Sequence, residues 1–163
     1  MKNFQAFHGI ITMIDEFLID ETGEGTGCYK LISVKNEYGN LVNFIVAPNT
    51  YFINHEMVAM GDMVTGFYDA NAATPLIFPP QFRAIVMAKD MQFRNVKVDY
   101  FNDQLISSDN TLRLNIAPYT QILLENGQAF TRNPANRNLI VIYGATTRSI
   151  PAQTTPYKII VMC

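Results

Sequence analysis

The sequence contains no tryptophan, only two cysteines and only two histidines, and charged residues make up 16% of its 163 positions. Two cysteines do not provide a disulfide framework, and histidines without partners at metal-ligand spacing do not predict a zinc site. Typical globular chains carry roughly 25% charged residues, so we expect an unusually neutral surface. A neutral surface opposes the close approach of identical copies less than a charged one does, which favours self-association.

Clusters of positive charge and long apolar runs are also missing. The formal net charge is -2, and a surface that binds nucleic acid needs clustered cations, so nucleic acid is not expected as a partner. No stretch reaches the roughly 20 apolar residues that span a bilayer, and the first residues lack the apolar core of a signal peptide. We therefore expect no membrane partner and a cytoplasmic location, with a cell-surface or released assembly as the alternative.

The second half of the sequence repeats landmarks of the first half. Leu31-Ile32-Ser33 and Ala47-Pro48-Asn49-Thr50 correspond to Leu105-Ile106-Ser107 and Ala117-Pro118-Tyr119-Thr120. Further along, residues 82–87 align without gaps with residues 157–162. Repetition at this scale predicts two tandem structural units. We place them at residues 1–90 and 91–163.

The local pattern is that of β-strands throughout, because β-branched and aromatic residues alternate over short runs bounded by Gly, Asn, Asp and Pro. The runs predict strands at residues 9–17, 28–35, 41–47, 63–69 and 82–88, and at 95–101, 104–107, 111–116, 139–144 and 158–162. Gly39 and the segment 108–110 mark hairpin turns. A helix is conceivable only at 51–60 or 121–134, so the predicted fold class is all-β.

One segment carries a family resemblance. Gly61-Asp62-Met63-Val64-Thr65-Gly66 resembles the Gly-Asp-x-Val-x-Gly turn and strand of oligonucleotide/oligosaccharide-binding (OB) barrels. The second half has Asn136-Arg137-Asn138-Leu139 where the Gly-Asp pair would stand. The resemblance implies two tandem, internally duplicated five-stranded OB-like barrels joined at residues 89–94. An SH3-like barrel or a two-sheet sandwich is the alternative.

Each unit carries a long loop that contains proline: the first loop is residues 70–81 and the second loop is residues 145–156. Proline restricts φ and lowers the entropy lost on ordering, so such a loop can present a fixed apolar surface. The predicted interaction residues are Leu76, Ile77, Phe78, Pro79, Pro80, Ile150 and Pro151. Consecutive apolar residues in a loop are either folded under the core or offered to a partner.

The residue types that carry catalysis or bind metals form no recognisable constellation. His55 has Glu56 beside it, but adjacent residues of an extended chain point apart. Cys28 follows a Gly-rich stretch that lacks the spacing of a phosphate loop. The acids Asp15, Glu16, Asp20, Glu21 and Glu24 lack the ligand order of an EF-hand. We therefore predict no enzyme activity, no cofactor and no metal, although a pocket joining His55 or Cys28 to distant carboxylates would change that prediction.

Two functional hypotheses remain. The favoured one is a non-catalytic structural or interaction protein that associates with itself, as an oligomer or filament, through neutral surfaces and the proline loops, with Cys28 and Cys163 as candidate cross-links. For Cys163, a buried and inert strand position is the alternative. The other hypothesis is an OB-type module that binds single-stranded nucleic acid or oligosaccharide through Tyr29, Tyr38 and Phe44, which the resemblance places on the usual ligand face.

Overall fold

The computed structural model of the chain describes residues 2–18 and 25–163. The chain divides into two compact units, Met1–Asp90 and Met91–Cys163. Within the described residues every regular element is a strand, apart from one three-residue 3₁₀ turn at Ile53–His55. The prediction of an all-β chain is confirmed.

The first unit contains seven strands in one sheet, ordered β4-β7-β5-β1-β2-β3-β6. Their bounds are β1 (Phe4–Glu16), β2 (Lys30–Lys35), β3 (Leu41–Val46), β4 (Tyr51–Phe52), β5 (Met63–Asp69), β6 (Gln81–Arg83) and β7 (Val86–Lys89). Strand β1 pairs with β5 over its first half and with β2 over its second half, both antiparallel. The long first strand therefore joins the two sides of this sheet.

The second unit contains six strands in two sheets, ordered β10-β13-β11-β8 and β12-β9. Their bounds are β8 (Asn95–Phe101), β9 (Leu112–Leu114), β10 (Gln121–Leu124), β11 (Arg137–Tyr143), β12 (Ala152–Thr154) and β13 (Lys158–Met162). Several pairings have counterparts in the first unit: β8 with β11 as β1 with β5, β11 with β13 as β5 with β7, β10 with β13 as β4 with β7, and β9 with β12 as β3 with β6. These pairings make Val86 the counterpart of Lys158, so the gapless alignment of residues 82–87 with 157–162, which sets Val86 against Val161, is shifted by three residues.

The predicted pair of five-stranded OB-like barrels is wrong in strand number and in sheet composition. The strand expected at 82–88 is interrupted at Ala84 and Ile85, where the chain changes partner: Ala84 N–H donates to Ile45 O of β3, whereas Ile85 N–H donates to Phe67 O of β5. The strand expected at 104–107 is a turn with isolated bridges, and Leu105 has φ 58°. Strands β4, β10 and β12 were not predicted.

Each unit has its own apolar core. Phe44 is fully buried in the first core, packed with Ile11, Val34 and Val64. A Cβ on Gly66 would lie 2.5 Å from the Phe44 ring, so the absence of a side chain at Gly66 is what admits the ring. In the second core the same role of central aromatic residue falls to Phe101, packed with Leu139 and Ile159 among others.

Thr50, the last residue of the Ala-Pro-Asn-Thr landmark, ties the turn after β3 to the interruption between β6 and β7. Its Oγ1 accepts a hydrogen bond from Ala47 N–H and donates one to Ala84 O, both at 2.9 Å. All three residues are buried. The hydroxyl therefore satisfies two backbone groups that have little access to water.

Thr120, at the end of the second landmark, makes the same pair of hydrogen bonds in the second unit. Its Oγ1 accepts from Ala117 N–H at 3.2 Å and donates to Pro156 O at 2.8 Å. In both units, therefore, the Ala-Pro-x-Thr sequence forms a turn. Its threonine hydroxyl donates to the backbone two residues before β7 in the first unit and two residues before β13 in the second.

The two predicted hairpin turns are present. Gly39 has φ 83°, and Asn36 Oδ1 accepts from the backbone of Tyr38 and Asn40. In the second unit Asp109 accepts from Lys97 Nζ, Ser107 Oγ and Thr111 Oγ1 at 2.6 to 2.7 Å. Polar side chains thus fix both turns.

Candidate interaction surface

The first loop connects β5 to β6 and exposes large apolar side chains. Leu76 is 103% exposed, Phe78 is 88% exposed and Ile77 is 52% exposed, and the Phe78–Pro79 peptide bond is cis. These side chains therefore project into solvent and do not fold under the core. No charged residue lies in this loop.

Both ends of the first loop are held by hydrogen bonds. At its start Ala70 N–H donates to Asn3 O, and Asp69 Oδ1 accepts from Asn3 and Asn71 N–H. These hydrogen bonds, Asn3 first, hold the pKa of Asp69 below its ordinary value despite the opposing effect of desolvation. At its far end Pro80 O accepts from Asn43 N–H at 2.8 Å. The apolar residues therefore project from a loop with anchored ends.

The second loop follows β11, the counterpart of β5, but it carries one charged residue, Arg148, and includes strand β12. Ile150 is 95% exposed, and the Ile150–Pro151 peptide bond is cis. The loop is closed by Thr147 N–H donating to Gln153 O and by Ser149 Oγ donating to Pro151 O. Each unit thus presents an exposed apolar residue immediately before a cis-proline.

The three aromatic residues predicted to bind a ligand do not form a stacking platform. Phe44 is 0% exposed, with Tyr68 beside its ring at 6.2 Å, so it cannot stack on a base or sugar. Tyr29 is half-buried, whereas Tyr38 is 80% exposed at the hairpin tip. Strand alternation alone did not reveal which face of β3 is the inner one.

Neither cysteine forms a disulfide, and both residues are exposed. Cys163 directly follows β13 and is exposed, which contradicts the buried strand position considered for it from the sequence. Cys28 N–H donates to Gly25 O in a turn before β2. Because both residues are exposed, a second molecule can reach either one.

The described residues contain no group of three or more His, Cys, Asp or Glu side chains that could hold a metal ion. The acidic residues Asp20, Glu21 and Glu24 lie outside the described part of the chain. His55, the weak catalytic candidate, has φ 54° and lies beside the Tyr51 ring. The other histidine, His8, contacts a carboxylate: its Nε2 lies 2.7 Å from Asp90 Oδ2.

A pocket of about 520 Å³ lies beside this histidine. It is lined by His8, Gly9, Ile10, Lys35, Asn36, Glu37, Tyr38 and Met63. Ile10 of β1 is directly opposite Lys35 of β2 and Met63 of β5, and His8 shares its face because side chains alternate along a strand. Ile10 and Met63 are 39% and 42% exposed.

Sequence reasoning missed this pocket because it started the first strand at Gly9, five residues late. The close approach of β1 and β2 at this point depends on Gly9, since a Cβ there would overlap the carbonyl group of Lys35. A glycine within an apolar run was the one available signal, because it often marks a close backbone approach.

In the part of the chain that the structure describes, no helix is long and apolar enough to cross a membrane. Comparison with protein-family models, curated proteins and solved structures finds no match.

Proposed function

We propose that this chain is a non-catalytic structural protein that associates with itself through the apolar tips of its two proline loops. The observation that carries the proposal is the exposure of Leu76 and Phe78, at 103% and 88%, in a loop with anchored ends. Three adjacent exposed apolar residues are characteristic of a contact surface rather than of scattered surface residues.

The second unit carries a similar surface on the second loop. The corresponding strand pairings and the repeated Ala-Pro-x-Thr turn support two copies of one ancestral unit, each with an apolar residue before a cis-proline. A chain that carries two such surfaces can contact more than one neighbour. Contacts of this kind lead to rings or filaments when they are not self-complementary.

The free energy gained by burying the first loop tip is close to the free-energy cost of association. Fully burying an apolar side chain contributes about 1.5–3 kcal/mol, so Leu76 and Phe78 together contribute about 3–6 kcal/mol. Association costs at least about 4 kcal/mol in lost translational and rotational freedom. The first loop tip alone therefore gives a weak contact, and stable assembly requires the second loop or a receptive surface on the partner.

Light scattering coupled to size-exclusion chromatography tests the proposal. Wild type should increase in mass with concentration, and the triple variant Leu76→Asp, Phe78→Asp, Ile150→Asp should remain monomeric. Met57→Asp is the matched control, because Met57 is 87% exposed but lies outside both loops. Wild type that stays monomeric at high micromolar concentration contradicts the proposal.

The ligand-binding alternative has less support. Phe44 is unavailable for stacking, and the chain carries a net charge of -2. Among the aromatic residues proposed for that role, Tyr38 is the one that is largely exposed. Binding of an oligonucleotide that weakens steeply with added salt would favour the alternative.

A further inference from the structure

We infer that the pocket lined by His8, Ile10, Lys35, Tyr38 and Met63 is the acceptor for the first loop of a second copy of this chain. The inference rests on the proposed function and adds the missing half of the contact. It makes the interaction heterologous, with a projecting loop on one molecule and a recessed site on the next.

The pocket and the first loop both expose apolar side chains. Ile10, Met63 and Tyr38 are 39%, 42% and 80% exposed around a recess of about 520 Å³, within the usual range for sites that enclose an organic group. The first loop supplies uncovered Leu76 and Phe78 side chains. Docking of the loop in the pocket would therefore bury apolar side chains that are exposed on both surfaces.

The charges around the pocket are compatible with an uncharged occupant. Lys35 and Glu37 carry opposite charges on the hairpin that lines the recess, and the carboxylate of Asp90 lies 2.7 Å from His8 Nε2. The first loop carries no charge at all. An uncharged segment can enter this recess without placing a like charge beside either sign.

The backbone beside the pocket has an open strand edge. Strand β1 pairs with β2 only from Ile10 onward, so residues 4–8 have no strand partner on that side within the described chain. An open edge of this kind binds an extended segment through main-chain hydrogen bonds. It therefore favours a polypeptide segment over a small molecule as the occupant.

The pocket and the start of the first loop lie at opposite ends of β5. Met63 of the pocket begins β5, and the first loop leaves β5 after Asp69, at its other end. Over seven residues these ends are about 20 Å apart. The far end of the loop, held at Asn43 of β3, lies nearer the pocket, because Leu41 of β3 is opposite Lys35. A loop of one molecule that enters the pocket of the next gives head-to-tail growth, because the two contacting surfaces differ.

A mixing experiment tests the inference, with Ile150→Asp as the background so that only the first loop contributes. The donor-defective variant adds Leu76→Asp and Phe78→Asp, and the acceptor-defective variant adds Met63→Glu. Each alone should be monomeric, with self-association at least tenfold weaker than that of the background. Their equimolar mixture should form a dimer and stop there, since each partner keeps one working surface.

Tyr38→Asp is the second acceptor variant, because an 80% exposed hairpin residue can be replaced without disturbing the core. Circular dichroism would verify that every variant is folded. Pocket variants that associate as strongly as the background, or a mixture that stays monomeric, overturn the inference. A background that is already monomeric overturns it too, whereas the proposed function survives if wild type still associates.

Discussion

Thr50→Val should be among the most destabilising conservative substitutions in the first unit. Valine has nearly the same shape as threonine but leaves Ala47 N–H and Ala84 O without the hydroxyl that now bonds both at 2.9 Å. These alanines are 5% and 3% exposed, so water offers little replacement. At about 1–3 kcal/mol for each of the two unsatisfied buried groups, the expected loss is about 2–6 kcal/mol.

Thr50→Ser is the matched control, because it keeps the hydroxyl and removes one methyl group, at about 1 kcal/mol. Urea unfolding followed by far-ultraviolet circular dichroism measures both losses, and tyrosine fluorescence provides a second signal because the chain has no tryptophan. A valine variant no less stable than the serine variant would refute the reasoning, since the two backbone hydrogen bonds would then contribute little.

Three further predictions concern packing, pH and the terminal thiol. Gly66→Ala should cost about 1–3 kcal/mol by overpacking against Phe44, measured by urea unfolding, and an unchanged midpoint would contradict that contact. Burial alone would raise the pKa of Asp109. Hydrogen bonds from Lys97, Ser107 and Thr111 outweigh this effect and hold the pKa well below its ordinary value. Its stabilising contribution is therefore present above a pH of about 4 and lost as the pH falls further, so Asp109→Asn should flatten the acid limb of a melting-temperature profile; a parallel profile would disprove this. Cys163→Ser should reduce covalent dimers on non-reducing gels of oxidised protein, and an unchanged amount of dimer would contradict a role for this thiol in cross-linking.

Local signals predicted the strands that alternate cleanly. The strands expected at 63–69, 95–101 and 158–162 match β5, β8 and β13 residue for residue. These runs combine β-branched and aromatic residues with clear turn residues at their ends. Gly39 was likewise predictable, because a hairpin there requires positive φ.

Features that depend on contacts between distant residues were not predictable. The division of the expected 82–88 strand arises because Ala84 and Ile85 donate to strands on opposite sides. The parallel strands β4 and β10 exist through their pairing with β7 and β13, far along the chain. Strands of two to four residues carry too little periodicity to identify alone.

The candidate site was half predictable. Leu76, Ile77 and Phe78 stand out in the sequence because apolar residues between prolines have no regular strand to join. The sequence left open whether they fold inward, and their exposure answers that question. The pocket at Met63 required knowledge that β1 extends back to Phe4 and lies between two other strands.

Negative-stain electron microscopy of the wild type and of the Leu76→Asp, Phe78→Asp, Ile150→Asp variant, over one concentration series with reductant present, tests the central claim most directly. The account predicts ordered rings or filaments of wild type that become more abundant with concentration, and dispersed small particles of the variant. Dispersed particles from both proteins, or equal assemblies from both, would contradict it.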